Sequence, residues 1–150
     1  MEINLKDIVL VSIQLLLFVF YTLAVDGSLG FSFIILKVGL FITGIGTLIL
    51  LLALLQLNKN LSPFPTPRNS AVLIQHGLYK WVRHPIYSGI IFMLLGYSVY
   101  QNSIYKLFIT GLLMLLFHIK SNYEEQQLLK KFPDYVAYKR KTGKFFVRLF

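Results

Sequence analysis

Residues 31–57 read FSFIILKVGLFITGIGTLILLLALLQL, an apolar run with one charge, Lys37. A membrane-crossing helix needs about 20 mostly apolar residues. This run exceeds that, and Lys37 lies within two turns of its start, from where it can snorkel to the interface. Before it, residues 8–25 form a second apolar stretch, broken only by Ser12, Gln14 and Thr22. The intervening Asp26-Gly27-Ser28-Leu29-Gly30 reads as a turn. After it, residues 58–85 are polar and basic, and Pro63, Pro65 and Pro67 keep the stretch from Ser62 to Arg68 extended. Residues 86–100 and 104–119 are two further apolar runs, separated by Gln101-Asn102-Ser103 as a tight helical hairpin. The third helix can begin at Pro85, because proline is tolerated in a first turn. The fourth is expected to run on to Lys131, about 42 Å from Ile104. Residues 120–150 form a tail.

The chain has 150 residues, 56% hydrophobic and 14% charged, far from the half-apolar, quarter-charged norm of soluble domains. That excludes a disordered chain and a coiled coil. Its net charge of +9 sits beside apolar runs and forms no basic stripe, so nucleic acid is not an expected partner; membrane lipid is. Without cysteine there is no disulfide, thiolate metal site or cysteine nucleophile. The lone His76 and His118 lack ligand spacing, and no metal is expected. Met1 to Asp7 carries no basic cluster and no cleavage site follows, so the first span is read as retained. Lys59, Arg68, Lys80 and Arg83 lie in the 58–85 connection, and six Lys and two Arg lie in the tail. The opposite side offers Asp26 and polar neutral residues, with Lys37 and Lys106 near helix ends. By the positive-inside rule, the connection, the tail and both termini are cytoplasmic. The expected fold is an all-α, multi-pass integral membrane protein of about four transmembrane helices, one domain over 1–150, with a cytoplasmic C-terminal helical extension.

The polar residues gather at two places. One enters the third span, from Gln75-His76-Gly77-Leu78-Tyr79-Lys80-Trp81-Val82-Arg83-His84 to Pro85-Ile86-Tyr87-Ser88-Gly89. The other leaves the fourth, with Lys120, Glu124 and Glu125, then Phe132-Pro133-Asp134-Tyr135 and Tyr138. The short hairpin brings both to one membrane face. A cationic, aromatic segment then confronts a carboxylate pair, an arrangement suited to a ligand with both charges.

Gly77-Leu78-Tyr79, Arg83-His84-Pro85-Ile86-Tyr87-Ser88-Gly89 and Glu124-Glu125 with Leu128, Phe132, Tyr135 and Tyr138 resemble the isoprenylcysteine carboxyl methyltransferase and phospholipid methyltransferase superfamily. Asn60-Leu61-Ser62-Pro63-Phe64-Pro65 is similar to its small microbial members. The resemblance covers about 43–146. It implies an S-adenosylmethionine-dependent methyltransferase of the membrane, with Tyr79, His84, Pro85, Ile86 and Tyr87 in the cofactor pocket and Glu124 on the cofactor's polar groups. Leu73 and Ile74 match a stretch on the adenine side. Gly44 and Gly46 resemble a glycine pair near the cofactor in phospholipid methyltransferases. Lys120 stands where the carboxyl methyltransferases usually carry Arg; it keeps the charge and loses the bidentate fork.

Methyl transfer from a sulfonium needs alignment more than acid catalysis. Arg83, Lys120 and Glu125 are the expected catalytic residues. Arg83 or Lys120 would pair with a carboxylate acceptor, and Glu125 or His84 would take a proton from an amine. Taken alone, Lys120 and Glu124, four apart, are an ordinary surface ion pair; the Arg-His-Pro element makes them site residues. Trp81 reads as an interfacial aromatic, the basic Lys139-Arg140-Lys141 as a lipid-headgroup contact, and Gly89, Gly96 and Gly111 as helix-packing positions. The expected acceptor is a lipophilic, membrane-embedded molecule: a prenylcysteine-like carboxylate first, a phospholipid amine next. A nicotinamide-dependent lipid reductase and a non-catalytic membrane scaffold are the readings of other classes. The reductase lacks a glycine-rich phosphate loop here.

Overall fold

A computed structural model describes residues 4–25, 27–58, 62–67 and 70–148. The expectations resting on Asp26, Lys59, Asn60, Leu61 and Arg68 lie outside the described residues. Helix α1 is Leu5–Thr22, α2 Phe33–Leu57, α3 Pro85–Tyr100, α4 Ile104–Lys131 and α5 Tyr135–Lys141. No strand occurs among the described residues; a short 3-10 turn, Gly77–Lys80, precedes α3.

The ends of the helices follow from local chemistry. Asn4 caps α1 reciprocally with Asp7, which draws its start three residues ahead of the apolar run read from sequence. Pro85 occupies the first turn of α3. At the hairpin, Asn102 adopts φ 53°, a left-handed turn that asparagine tolerates, and the Ser103 side chain accepts the Lys106 amide to start α4. The 28 residues of α4 form one unbroken helix.

Helices α1, α2 and α4 are long and apolar enough to cross a membrane. Helix α3, with 16 residues, is apolar but shorter, about 24 Å long against a hydrocarbon core of roughly 30 Å. In α1 and α2 only 17% of the apolar window is buried inside the protein, and Leu5, Phe33, Ile34, Phe41 and Leu55 project outward. Such surfaces are compatible with lipid, where the helix satisfies its own backbone polar groups.

Two glycine pairs, each seven residues apart, set the α2–α3 contact. Gly39 and Gly46 on α2 interleave with Gly89 and Gly96 on α3. A Cβ at Gly89 would lie 2.6 Å from the Leu50 amide nitrogen, and one at Gly39 would lie 2.8 Å from the Gly96 carbonyl oxygen. The backbones are therefore as close as glycine permits. Gly89→Leu is expected to destabilise the protein by about 1–3 kcal/mol through overpacking, read as a lower unfolding temperature in detergent. Gly111→Leu is the contrasting control. A Cβ at Gly111 would meet nothing within 4 Å, so Gly111 is not the packing position the sequence suggested.

Helices α3 and α4 run antiparallel from the hairpin. Their core holds Ile91, Leu94, Ile109, Leu113 and Phe117, joined by Tyr21 of α1 and by Phe145 from the C-terminal segment. Helix α1 packs along α4, through Leu10, Leu116 and Tyr123. Its C-terminal end is held by Lys106, whose Nζ donates to the Tyr21 carbonyl at 2.7 Å, a cation on the negative end of the helix dipole.

Candidate functional site

The antiparallel hairpin sets the first turn of α3 beside the second half of α4. Three rings stack there. Tyr87 lies parallel to Phe117 with centroids 4.7 Å apart, and His84 lies parallel to Tyr87 at 5.5 Å. Aromatic pairs of this kind contribute about 0.5–1.5 kcal/mol each beyond burial, which makes the stack a firm wall.

Adjacent on α4, Glu124 and Glu125 point to different neighbours, because successive helical residues diverge by about 100°. Glu125 is buried. Its Oε1 accepts from Arg83 Nε at 2.8 Å and lies 3.2 Å from His84 Nε2, while Oε2 lies 2.7 Å from Lys139 Nζ. Glu124 is partly exposed; its Oε2 accepts the Tyr87 hydroxyl at 3.0 Å and lies 3.8 Å from His84 Nδ1. His84 thus stands between the two carboxylates.

The C-terminal segment covers the start of α3. The amide nitrogens of Arg83 and His84 donate to the carbonyls of Gly143 and Lys144 at 2.9 and 3.1 Å, and Gly143 donates to Trp81 at 3.1 Å. Ser88 Oγ donates to the Phe145 carbonyl at 2.7 Å. Arg83 Nη1 donates to the carbonyls of Lys139 and Thr142. Lys139, expected at lipid headgroups, is instead a second cationic partner of Glu125 beside Arg83, while Arg140 and Lys141 remain exposed.

Two cavities meet beside this cluster. The first, about 100 Å³, is lined by Leu73, Ile74, Leu128, Phe132, Tyr135 and Tyr138. The second, about 290 Å³, is lined by Gln14, His84, Ile86, Tyr87, Ile90 and Lys120. Leu57, Ser62, Tyr79, Arg83 and Glu124 line both. Together they reach the range of small-molecule sites, roughly 300–1,000 Å³.

Of the residues singled out from sequence, Leu73, Ile74, Tyr79, Arg83, His84, Ile86, Tyr87, Lys120 and Glu124 line this double cavity. Pro85 is buried on the other side of the α3 start, and Glu125 lies behind the cavities in the ion cluster. Gly44 and Gly46 line neither cavity. Gly46 packs against the backbone of Phe92 and Met93, and Gly44 faces open space. Lys120 and Glu124 do not form the i,i+4 surface pair. Lys120 is 1% exposed and its Nζ donates to Gln14 Oε1 at 2.5 Å.

The sequence reading passed over three contributors, Gln14, Asp7 and Gln56, and named Tyr135 only among the residues that carry the resemblance. Gln14 reaches the second cavity from α1. Asp7, fully buried, accepts the Thr66 hydroxyl at 2.7 Å and ties the proline-rich 62–67 stretch to α1. Gln56 accepts the Leu78 amide at 2.8 Å beside Gly77, whose φ of 60° and contact with that side chain require glycine. Tyr135 enters the first cavity wall from α5. A polar residue inside an apolar span is the signal that marks Gln14 and Gln56; Asp7 carries no comparable local mark.

Around the cavities the phenols stay protonated. Burial pushes the Tyr79 hydroxyl well above its ordinary value, with the Glu124 charge adding to it. Burial does the same to Tyr135. Tyr138 rises to about 12, through burial first, despite Arg83. Its hydroxyl donates to the Tyr79 carbonyl at 2.6 Å and so braces the 3-10 turn. Tyr87→Phe keeps the ring stack and removes one hydrogen bond to Glu124. It is expected to weaken ligand binding by about three- to tenfold, a loss of roughly 1 kcal/mol, read by calorimetry.

The phospholipid methyltransferase family matches residues 32–134. The chain belongs to that family. No curated protein matches it. A phospholipid methyltransferase family member is a transferase, and its apolar helices make it an integral membrane protein that acts on lipids. The matched stretch contains α2, α3, α4 and every residue of the ring stack. Helix α1, with Asp7 and Gln14, and the C-terminal Tyr135, Tyr138, Lys139 and Phe145 lie outside it.

Proposed function

We propose that the protein moves a methyl group from S-adenosylmethionine to the amine of a membrane lipid. The observation that carries this reading is Glu124, a partly buried carboxylate common to both cavities and oriented by the Tyr87 hydroxyl. The residues fit the cofactor. The first cavity offers the apolar and aromatic walls of Leu73, Ile74 and Phe132, suited to a purine, and Glu124 accepts hydrogen bonds from hydroxyl or ammonium groups. Bound there, S-adenosylmethionine supplies a methyl group made electrophilic by its sulfonium.

The chain's own residues do the rest. Ile86, Ile90 and Leu57 line the second cavity with apolar surface for the acceptor's hydrocarbon. The Phe117–Tyr87–His84 stack holds the wall rigid, and rigidity keeps donor and acceptor aligned. Glu125 fixes His84 by its Nε2, so the ring proton sits there and Nδ1 keeps its lone pair on the Glu124 side. Nδ1 is the group placed to take the proton that a methylated amine gives up. Arg83, whose Nε and Nη1 bind Glu125 and the C-terminal segment, positions the ion cluster.

An amine acceptor ranks ahead of a carboxylate for two reasons. The matching family is described as acting on phospholipids. Glu124 in the shared wall attracts an ammonium and repels a carboxylate. In this reading the chain is one domain, with α3 as a fourth, shorter membrane segment. The basic 3-10 turn, the tail and both termini lie on the cytoplasmic side, where the cofactor enters and the acceptor arrives laterally from lipid.

The test is calorimetric titration of the detergent-purified protein with S-adenosylhomocysteine. Saturable binding with micromolar affinity is the expected result. A folded protein that shows no binding overturns the reading.

A further inference from the structure

We propose that an apolar cleft beside the start of α3, on the side away from the paired cavities, holds one acyl chain of an anionic phospholipid that is not a substrate. The inference goes beyond the methyl-transfer reading and does not depend on it.

The cleft has a volume of about 420 Å³ and shares no lining residue with the two cavities. Its lining runs from Leu78 and Trp81, ahead of α3, to Phe92 in the third turn of that helix, about 10 Å along the axis from Pro85. Ile49 of α2 forms a second wall, and Phe146 and Val147 of the C-terminal segment form a third. Apart from the Trp81 indole, Ser88 has the only polar side chain in the lining, and its hydroxyl donates to the Phe145 carbonyl at 2.7 Å. Hydrocarbon is what such a surface complements. Trp81 and Phe146 are each 55% exposed, and an exposed apolar patch of this kind marks a binding groove or a membrane contact. On the convex faces of α1 and α2 a lipid chain has protein on one side. In the cleft it has protein on three, and dispersion contacts grow accordingly.

The charges select the headgroup. Residues 76–88 and 143–148, which flank the cleft, carry Lys80, Arg83, Lys144 and Arg148 and no Asp or Glu. Arg83 is neutralised by Glu125. Lys80 stands at the Trp81 end, its Nζ 5.4 Å from the ring centre, and among the described residues it makes no ion pair within 4 Å. Asp134 lines a neighbouring hollow with Lys80 and Lys141, where the balance stays positive. The cleft therefore has a cationic end and an apolar end, the order of an anionic phospholipid standing in one leaflet. Its occupant also bears on the site. The carbonyls of Gly143, Lys144 and Phe145 accept from the Arg83 and His84 amides and the Ser88 hydroxyl. A chain packed on Phe146 and Val147 holds that segment against the start of α3.

Trp81 is the one tryptophan of the chain and so reports on the cleft directly. The detergent-purified protein is titrated with phosphatidylglycerol whose acyl chains carry bromine, a contact quencher of indole fluorescence, and with phosphatidylcholine carrying the same chains. Neither headgroup offers an amine to methylate. The expected result is saturable quenching, reversed by unbrominated phosphatidylglycerol, with half-saturation at about fivefold less phosphatidylglycerol than phosphatidylcholine. Lys80→Gln is expected to bring the two lipids level. Ile49→Phe fills the cleft and is expected to raise the lipid needed for half-quenching at least about tenfold; Lys80→Gln, a surface change, decides the matter if Ile49→Phe does not fold. Quenching that grows in proportion to brominated lipid without saturating, equal half-saturation for the two lipids in wild type, or an unaltered titration in folded Ile49→Phe each overturns the proposal. So does an unquenched Trp81 in a protein that light scattering shows to be a dimer, which would give the cleft to a second copy of the chain.

Discussion

Glu124→Ala is expected to weaken S-adenosylhomocysteine binding by about 100-fold and to abolish methyl transfer, with little change in unfolding temperature. Losing one partner of a desolvated, charge-assisted hydrogen bond costs roughly 2–5 kcal/mol, and each 1.4 kcal/mol is about a tenfold loss of affinity. The fold does not depend on this carboxylate. Among the described residues its one hydrogen-bond donor is the Tyr87 hydroxyl, and the Tyr87 ring stays clamped between Phe117 and His84. Glu124→Gln keeps the shape and one acceptor oxygen and should fall between the two. The measurement is paired calorimetry and thermal unfolding. Wild-type affinity in Glu124→Ala would remove the cofactor from the shared wall of the two cavities.

Glu125→Ala should do the reverse, lowering stability first. From a nearly inaccessible position Glu125 compensates Arg83 and Lys139 at 2.8 and 2.7 Å and lies 3.2 Å from His84 Nε2. Breaking a buried ion pair by deleting one member typically costs about 3–5 kcal/mol, because the remaining charges stay buried without a partner. Here the loss also frees the Arg83 side chain that binds the Lys139 and Thr142 carbonyls, so the covering segment at 142–145 should loosen. The expected observations are a fall of roughly 10 °C in unfolding temperature and faster tryptic cleavage after Lys139, Arg140 and Lys141. Lys139→Ala is the milder control. That lysine side chain is 44% exposed, and exposed pairs contribute about 1 kcal/mol or less. Equal stability of Glu125→Ala and wild type would mean that the ion cluster does not hold the C-terminal segment.

These two neighbours show how much of the site was legible. The Arg-His-Pro-Ile-Tyr element and the paired glutamates located the site to one end of α3 and α4, and the three-residue hairpin correctly brought those ends together. The sequence reading gave Glu124 to the cofactor and Glu125 to catalysis, yet only Glu124 lines the cavities. Which glutamate turns inward depends on the rotation of α4 against α3, and that is set by ring stacking between residues far apart in sequence.

Sequence alone determined the class of the molecule. Long apolar runs, a net positive charge and punctuating turns dictate membrane helices, because backbone polar groups in lipid must be satisfied within the helix. It also determined the family and the segments that line the paired cavities. The tertiary structure decided which face each helix turns inward. Helices α2 and α3 are apolar all round, and against lipid an apolar face is as acceptable outside as inside, so hydropathy carries no rotation. Only the folded chain shows that Gly46 packs while Gly44 does not. Only it shows that Gln14 meets Lys120 across 106 residues and that the basic tail ends on Glu125. Those pairings are long-range, and local periodicity, which reports neighbours three or four residues away, has no access to them.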